Sequence, residues 1–154
     1  MQNIINNLRG YRKVWVDIIP SDENFIIPKG RQVFGMQQVI LKNDVMKDDV
    51  FEAQLHNKAF QNKIKMKKLY GDTILHKKDG KMRKFGNTHQ ILKFKEEGDS
   101  LKALLKIKED SVLYDLTKYA DPEFYVSFIS DTMEIDMNKN KNFTLCTVVS
   151  VYSE

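Results

Sequence analysis

Between Leu101 and Lys108, the residues Leu101, Ala103, Leu105 and Ile107 alternate with Lys102, Leu104, Lys106 and Lys108. A period of two is that of a β-strand, whose successive side chains point to opposite faces. One face of this segment must therefore be buried and the other mainly wet, as in an antiparallel sheet. His89 to Lys95 is also extended, and Glu97-Gly98-Asp99 lies between the two runs as a turn. The pair reads as a hairpin.

Further extended segments surround it. Arg12 to Ile19 is rich in β-branched and aromatic residues and stops at Pro20. Pro28-Lys29-Gly30 marks a turn, after which Val33 to Leu41 reads as one strand. Asn43 or Asp44 can cap a helix, or a broken pair of helices, that reaches Lys68 with Val45, Val50, Phe51, Leu55, Ala59 and Phe60 at intervals of three and four. Asp72 to His76 is a short strand, and Asp79-Gly80 turns within a basic loop. Asp110 or Ser111 can cap a second helix that carries Leu113, Leu116 and Tyr119 and stops near Pro122. Phe124 to Ser130 and Phe143 to Tyr152 are strands joined across the polar tip at Asn138–Asn142. The expected fold is one α+β domain over residues 1–154, a mostly antiparallel β-barrel or sheet with two or three helices.

With 154 residues and 42% apolar composition, the chain can build a single sizeable core. No segment has the length of apolar sequence that a membrane helix needs, and the N-terminus lacks the layout of a signal peptide. Cys146 is the one cysteine, so an intramolecular disulfide and a Cys-rich zinc site are both excluded. A reducing compartment is the natural setting for such a chain. Charge is unevenly placed. The stretch from Lys63 to Lys84 carries nine basic residues against Asp72 and Asp79, a local +7 that leaves −3 for the rest of this +4 chain. Such a run reads first as a solvated face and second as a surface for nucleic acid or an acidic protein. Only Tyr70 and Phe85 lie near it in sequence, little for a single-strand stacking platform.

Glycine-rich phosphate loops are absent. His76 with Asp79 is too little for a metal site, and no metal or cofactor is expected. Cys146 lies in an apolar strand, where a buried, inert thiol is the default. Nucleophilic catalysis needs a hydroxyl or thiol, a base within reach, and a group that orients the base. The chain has three histidines: His56, on a helix surface, His76 and His89. His76 ends an apolar strand, and Ser127 stands mid-strand in Tyr125-Val126-Ser127-Phe128-Ile129. A strand serine can present its hydroxyl to an imidazole on a neighbouring strand, so these two form the candidate pair.

The order of segments resembles that of the tailed-phage prohead maturation proteases, distant relatives of the herpesvirus assemblins. Pro28-Lys29-Gly30-Arg31-Gln32-Val33-Phe34 is similar to the family's early NGR-then-aromatic turn, with Lys29 for Asn and Gln32 extra. Gly71-Asp72-Thr73-Ile74-Leu75-His76 is similar to the run ending in the catalytic histidine. Thr88-His89-Gln90-Ile91, Gly98-Asp99 and Leu105-Lys106-Ile107 follow in the family's order. Val126-Ser127-Phe128 occupies the place of the nucleophile strand, and Thr147 to Ser153 that of the closing strand. Thr147 stands where the family has an acidic residue, and Tyr152 where it has proline. The similarity spans roughly residues 12 to 153.

The resemblance implies a herpesvirus-protease-like fold and a serine endopeptidase that needs no cofactor. It implies Ser127 as nucleophile and His76 as general base, with Thr147, His89 or Asp72 for the third position. The implied partners are phage scaffolding protein and the major capsid protein, cleaved within the procapsid in host cytoplasm alongside self-cleavage, with homo-oligomerisation left open. With Thr147 in place of the acid, a weak or inactive enzyme with a structural role in capsid assembly is the alternative. A basic nucleic-acid-binding domain ranks third.

Overall fold

A computed structural model describes residues 13–21, 24–33, 35–41, 49–130 and 143–153. Nine strands and three helices occur among them: β1 (Lys13–Ile18), β2 (Phe25–Ile26), β3 (Gln32–Val33), β4 (Met36–Ile40), α1 (Asp49–Leu55), α2 (Lys58–Lys65), β5 (Tyr70–His76), β6 (Met82–Glu97), β7 (Ser100–Ile107), α3 (Val112–Leu116), β8 (Glu123–Ser130) and β9 (Phe143–Ser153). Six strands close in the order β1-β7-β6-β5-β9-β8, with β1 returning to β8 through the pair Ile18–Phe124. The expectation of a mixed, mostly β fold with two or three helices holds, and the barrel is closed. Most neighbours are antiparallel; β5 runs parallel to β9, and β1 to β8. β4 extends the sheet from the far end of β8 and carries β2 and β3.

Alternation places the core. Val14, Val16 and Ile18 of β1 and Leu101, Ala103, Leu105 and Ile107 of β7 point inward and are buried, whereas Lys13 and Lys106 stand outside. Phe51 of α1 meets Phe128 edge-on at 6.0 Å, and Phe128 meets Phe143 at 5.2 Å, so the helical segment seals part of this core. On α2, Phe60 packs against Phe94 of β6. Asn57 caps α2 by accepting from the amides of Ala59 and Phe60, and Ser111 caps α3 by accepting from that of Tyr114.

Several boundaries differ from expectation. The helical region is a broken pair, α1 and α2, and the capping positions Asn43 and Asp44 fall outside the described residues, as does the 138–142 tip. The segment from Val33 to Leu41 is not one strand: Gly35, at φ 81°, turns the chain so that Val33 pairs with Met36. Only glycine adopts that conformation without strain. The basic loop is shorter than expected, because β6 begins at Met82 and takes Arg83 and Lys84 into a strand. Helix α3 ends at Leu116, leaving Tyr119 82% exposed rather than in the core.

Candidate functional site

Ser127 lies on β8 opposite Thr147 of β9, beside a bulge between Ser127 and Phe128. Its side chain is buried, with 0% exposure. The hydroxyl accepts a hydrogen bond from Gln38 Nε2 at 2.9 Å and donates to the Thr147 carbonyl at 3.1 Å. Gln38 is held in turn, since its Oε1 accepts from the Arg31 amide at 3.1 Å. Thr147 Oγ1 donates to the Tyr70 carbonyl at 2.7 Å, a carbonyl that also accepts from the Arg31 guanidinium at 3.0 Å. The same guanidinium reaches the buried Cys146 Sγ at 3.6 Å. Among the described residues, every partner of the Ser127 hydroxyl is therefore an amide or a carbonyl, and neither can take its proton.

His76 is elsewhere. It ends β5 beside Ser153 of β9, whereas Ser127 pairs with Thr147 on the same strand. Six residues of extended chain, about 20 Å, separate these two positions along β9. The structure brings Ser127 and Thr147 together and does not bring His76 to them.

His89 is buried with 0% exposure and touches the other edge of β9. One ring nitrogen, Nε2, lies 2.8 Å from the Val148 carbonyl, and Nδ1 lies 2.9 Å from Thr88 Oγ1. A carbonyl can only accept, so Nε2 carries the hydrogen and Nδ1 is the acceptor. The Thr88 hydroxyl then spends its one hydrogen on Nδ1. Thr73 Oγ1, 2.8 Å from Thr88, must donate to Thr88, and Ser150 Oγ, 2.6 Å from Thr73, must donate to Thr73. The result is a one-way chain from Ser150 through two threonines and an imidazole to Val148. Burial is the main cause that lowers the His89 pKa to about 4, opposed by the Val148 hydrogen bond and the nearby Asp72 charge. The ring is neutral at physiological pH.

Gly71 makes this arrangement fit. A Cβ there would stand 1.9 Å from the Val148 carbonyl and 2.3 Å from His89 Nε2. Asp72 beside it is buried, accepts from the Asn87 amide at 2.9 Å, and lies 3.9 Å from Lys84 Nζ. Because consecutive carbonyls of an extended strand point to opposite edges, His89 at Val148 and Ser127 at Thr147 are tied to opposite sides of β9. Among Ser127, His76, Thr147, His89 and Asp72, no nucleophile–base contact forms.

Acidic groups collect at one end of the barrel. A cleft of about 640 Å³ is lined by Asp17, Asp49, Glu52, Glu96 and Asp99, with Phe51 and Leu101 also contributing. At its rim, His56 Nε2 stands 3.1 Å from Glu52 and 2.6 Å from Glu96. The hydrogen bond to Glu96 is the main reason that the His56 pKa is raised; burial opposes it, and the charges on Glu96 and Glu52 add to it. Glu52, His56 and Glu96 form the one His–carboxylate group among the described residues whose donor atoms all lie within 4.8 Å of one another. Such donors could hold a divalent cation; all three are exposed and already pair with one another.

No family model, curated protein or solved structure matches this chain. The groups that sequence reasoning passed over are Gln38, Arg31, Thr73, Thr88 and Ser150, together with the Glu52–His56–Glu96 group. Glu52 and His56 are four apart at a predicted helix, a legible signal. The others meet only through sheet register, which no local spacing encodes.

Proposed function

We propose that this chain is a non-catalytic protein of phage capsid assembly, built on a herpesvirus-protease-like barrel. Its partners in this reading are scaffolding protein and the major capsid protein, met inside the procapsid in host cytoplasm. The setting rests on the resemblance over residues 12 to 153. The absence of catalysis rests on one observation: the buried Ser127 hydroxyl is committed to Gln38 and the Thr147 carbonyl. A serine nucleophile needs a base at hydrogen-bond distance and an open approach for the scissile carbonyl. Ser127 has neither, and His76 lies about 20 Å along the strand direction.

The test treats the full chain with a fluorophosphonate probe and maps any adduct by mass spectrometry. No adduct on Ser127 is expected, and scaffold should remain uncleaved equally by the native chain and by Ser127→Ala. An adduct on Ser127 that disappears in His76→Ala would overturn the reading in favour of an active serine endopeptidase. In the same preparation the chain should co-sediment with capsid protein and scaffold during assembly. Failure to do so removes the capsid role.

A further inference from the structure

The outer wall of the barrel carries a feature that the linear charge count hides. Tyr70 of β5 pairs with Gln90 of β6, Gln90 with Lys106 of β7, and Lys106 with Lys13 of β1. Directly opposed residues share a face, so these four side chains form one continuous row across four strands, about 14 Å long. The end of α2 leans over this row. Lys65 and Lys67 join Lys13, Lys106 and Gln90 in lining a cleft of about 270 Å³. Gln90 fixes the approach by donating to the Lys67 carbonyl at 2.7 Å. An adjoining cleft of about 250 Å³ is lined by Tyr70, Gln90, Lys106 and Lys108, with Lys108 Nζ 5.3 Å from the Tyr70 ring centroid.

Among the described residues, no carboxylate lines either cleft. Lys13 and Lys106 stand directly opposite each other, an arrangement of like charges that destabilises a strand pair unless an anion lies over it. One step along the strands, on the same outer face, Trp15 pairs with Leu104 and is half-buried. The wall therefore offers ammonium groups spaced along a groove that Tyr70 lines on the β5 side, with Trp15 beyond Lys13 on the same face of β1. Phosphates that track a line of cations, with bases stacking on aromatic faces, are the chemistry of a single-stranded nucleic acid. An acidic peptide would use the lysines and leave Trp15 and Tyr70 without a matching group.

We propose that the outer face of β1, β7 and β6, where Lys13, Lys65, Lys67 and Lys106 converge between Trp15 and Tyr70, binds single-stranded nucleic acid. The proposal does not depend on whether the chain cleaves peptides or joins a capsid. It also reverses the expectation from Lys63–Lys84 alone, because Trp15, from far outside that segment, joins Tyr70 within it.

Trp15 is the one tryptophan of the chain, so its fluorescence reports on this face without labelling. The full chain is titrated with a twenty-nucleotide oligo-dT and, separately, with the corresponding duplex and with polyglutamate. Oligo-dT is expected to quench Trp15 and to bind more tightly than the other two. Affinity should fall with salt at a log–log slope of about −2 to −3, near −0.7 for each phosphate contacted. The combined change Lys13→Gln, Lys65→Gln and Lys106→Gln should weaken binding at least tenfold and flatten the slope. Lys77→Gln, Lys78→Gln and Lys81→Gln together remove the same charge from the exposed loop and should change affinity less than twofold. Trp15→Leu, followed by anisotropy of a labelled oligonucleotide, should cost about tenfold, within the range for loss of one stacked base. The proposal is overturned if polyglutamate binds as tightly as oligo-dT, if the two triple variants lose affinity equally, or if saturating oligo-dT leaves Trp15 emission unchanged.

Discussion

His89 shows how a single buried side chain sets a pH limit on the whole molecule. In the unfolded chain its ring titrates near 6.5; in the folded barrel, burial holds the pKa at about 4. Below 6.5 the unfolded state takes up a proton that the native state refuses. The contribution is therefore fully present above that value and is lost as pH falls through the window from 6.5 to 4. From neutrality down to pH 4 the loss is about 3 kcal/mol. Urea unfolding at a series of pH values should show this, and ring-nitrogen NMR should find His89 neutral until pH approaches 4. A ring that protonates near 6.5 in the native state would sink the idea. In sequence, the place of His89 was partly visible, since it lies two residues from Ile91 and strand alternation sends both to one face. Its partners were not visible, because Thr73, Thr88 and Ser150 look like ordinary strand residues until the register joins them. Ser127 misled for the same reason. A serine held by Gln38 has the same local sequence as one held by a base.

At the level of elements, the alternating segments were the most legible. Strands β1 and β7 fall within one or two residues of expectation, because their apolar period is unbroken. Strand β6 was harder to read at its start, where Arg83 and Lys84 disguise an extended segment as a charged loop. The Gln54 side chain gives an element-level device that propensity cannot reveal. From α1 it donates to the Phe143 carbonyl at 2.7 Å and accepts from the Leu145 amide, so one side-chain amide stands in for a strand partner at the start of β9. Replacing it with alanine leaves both backbone groups unpaired. Gln54→Ala should cost about 2 kcal/mol in chemical denaturation. Hydrogen exchange at the Leu145 amide should rise while exchange at Val148 stays slow. Equal acceleration along the whole of β9 would mean that Gln54 does not act locally.

At the scale of the molecule, closure of the barrel depends on its thinnest joint. β1 meets β7 through six register pairs, but it meets β8 through Ile18–Phe124 and a backbone bond of 3.0 Å from the Ile19 amide to the Phe124 carbonyl. The two contacting segments are over a hundred residues apart in sequence, and no local pattern announces the contact. Opening should begin there. In native-state hydrogen exchange, the Ile19 amide is expected to exchange faster than the amides of Val14 and Val16, which face β7. Protection of Ile19 equal to that of the core would show that the seam opens only on global unfolding. The wall that this seam borders also carries opposed charge. On β1, Lys13 and Asp17 are four residues apart, about 13 Å, with the lysine groove at one end and the acidic cleft at the other. Near a negatively charged surface such a wall feels a torque as well as a pull. The molecule would settle with the Lys13–Lys106 row against that surface and the acidic cleft turned away, so that adsorption alone fixes which end remains available to a second partner.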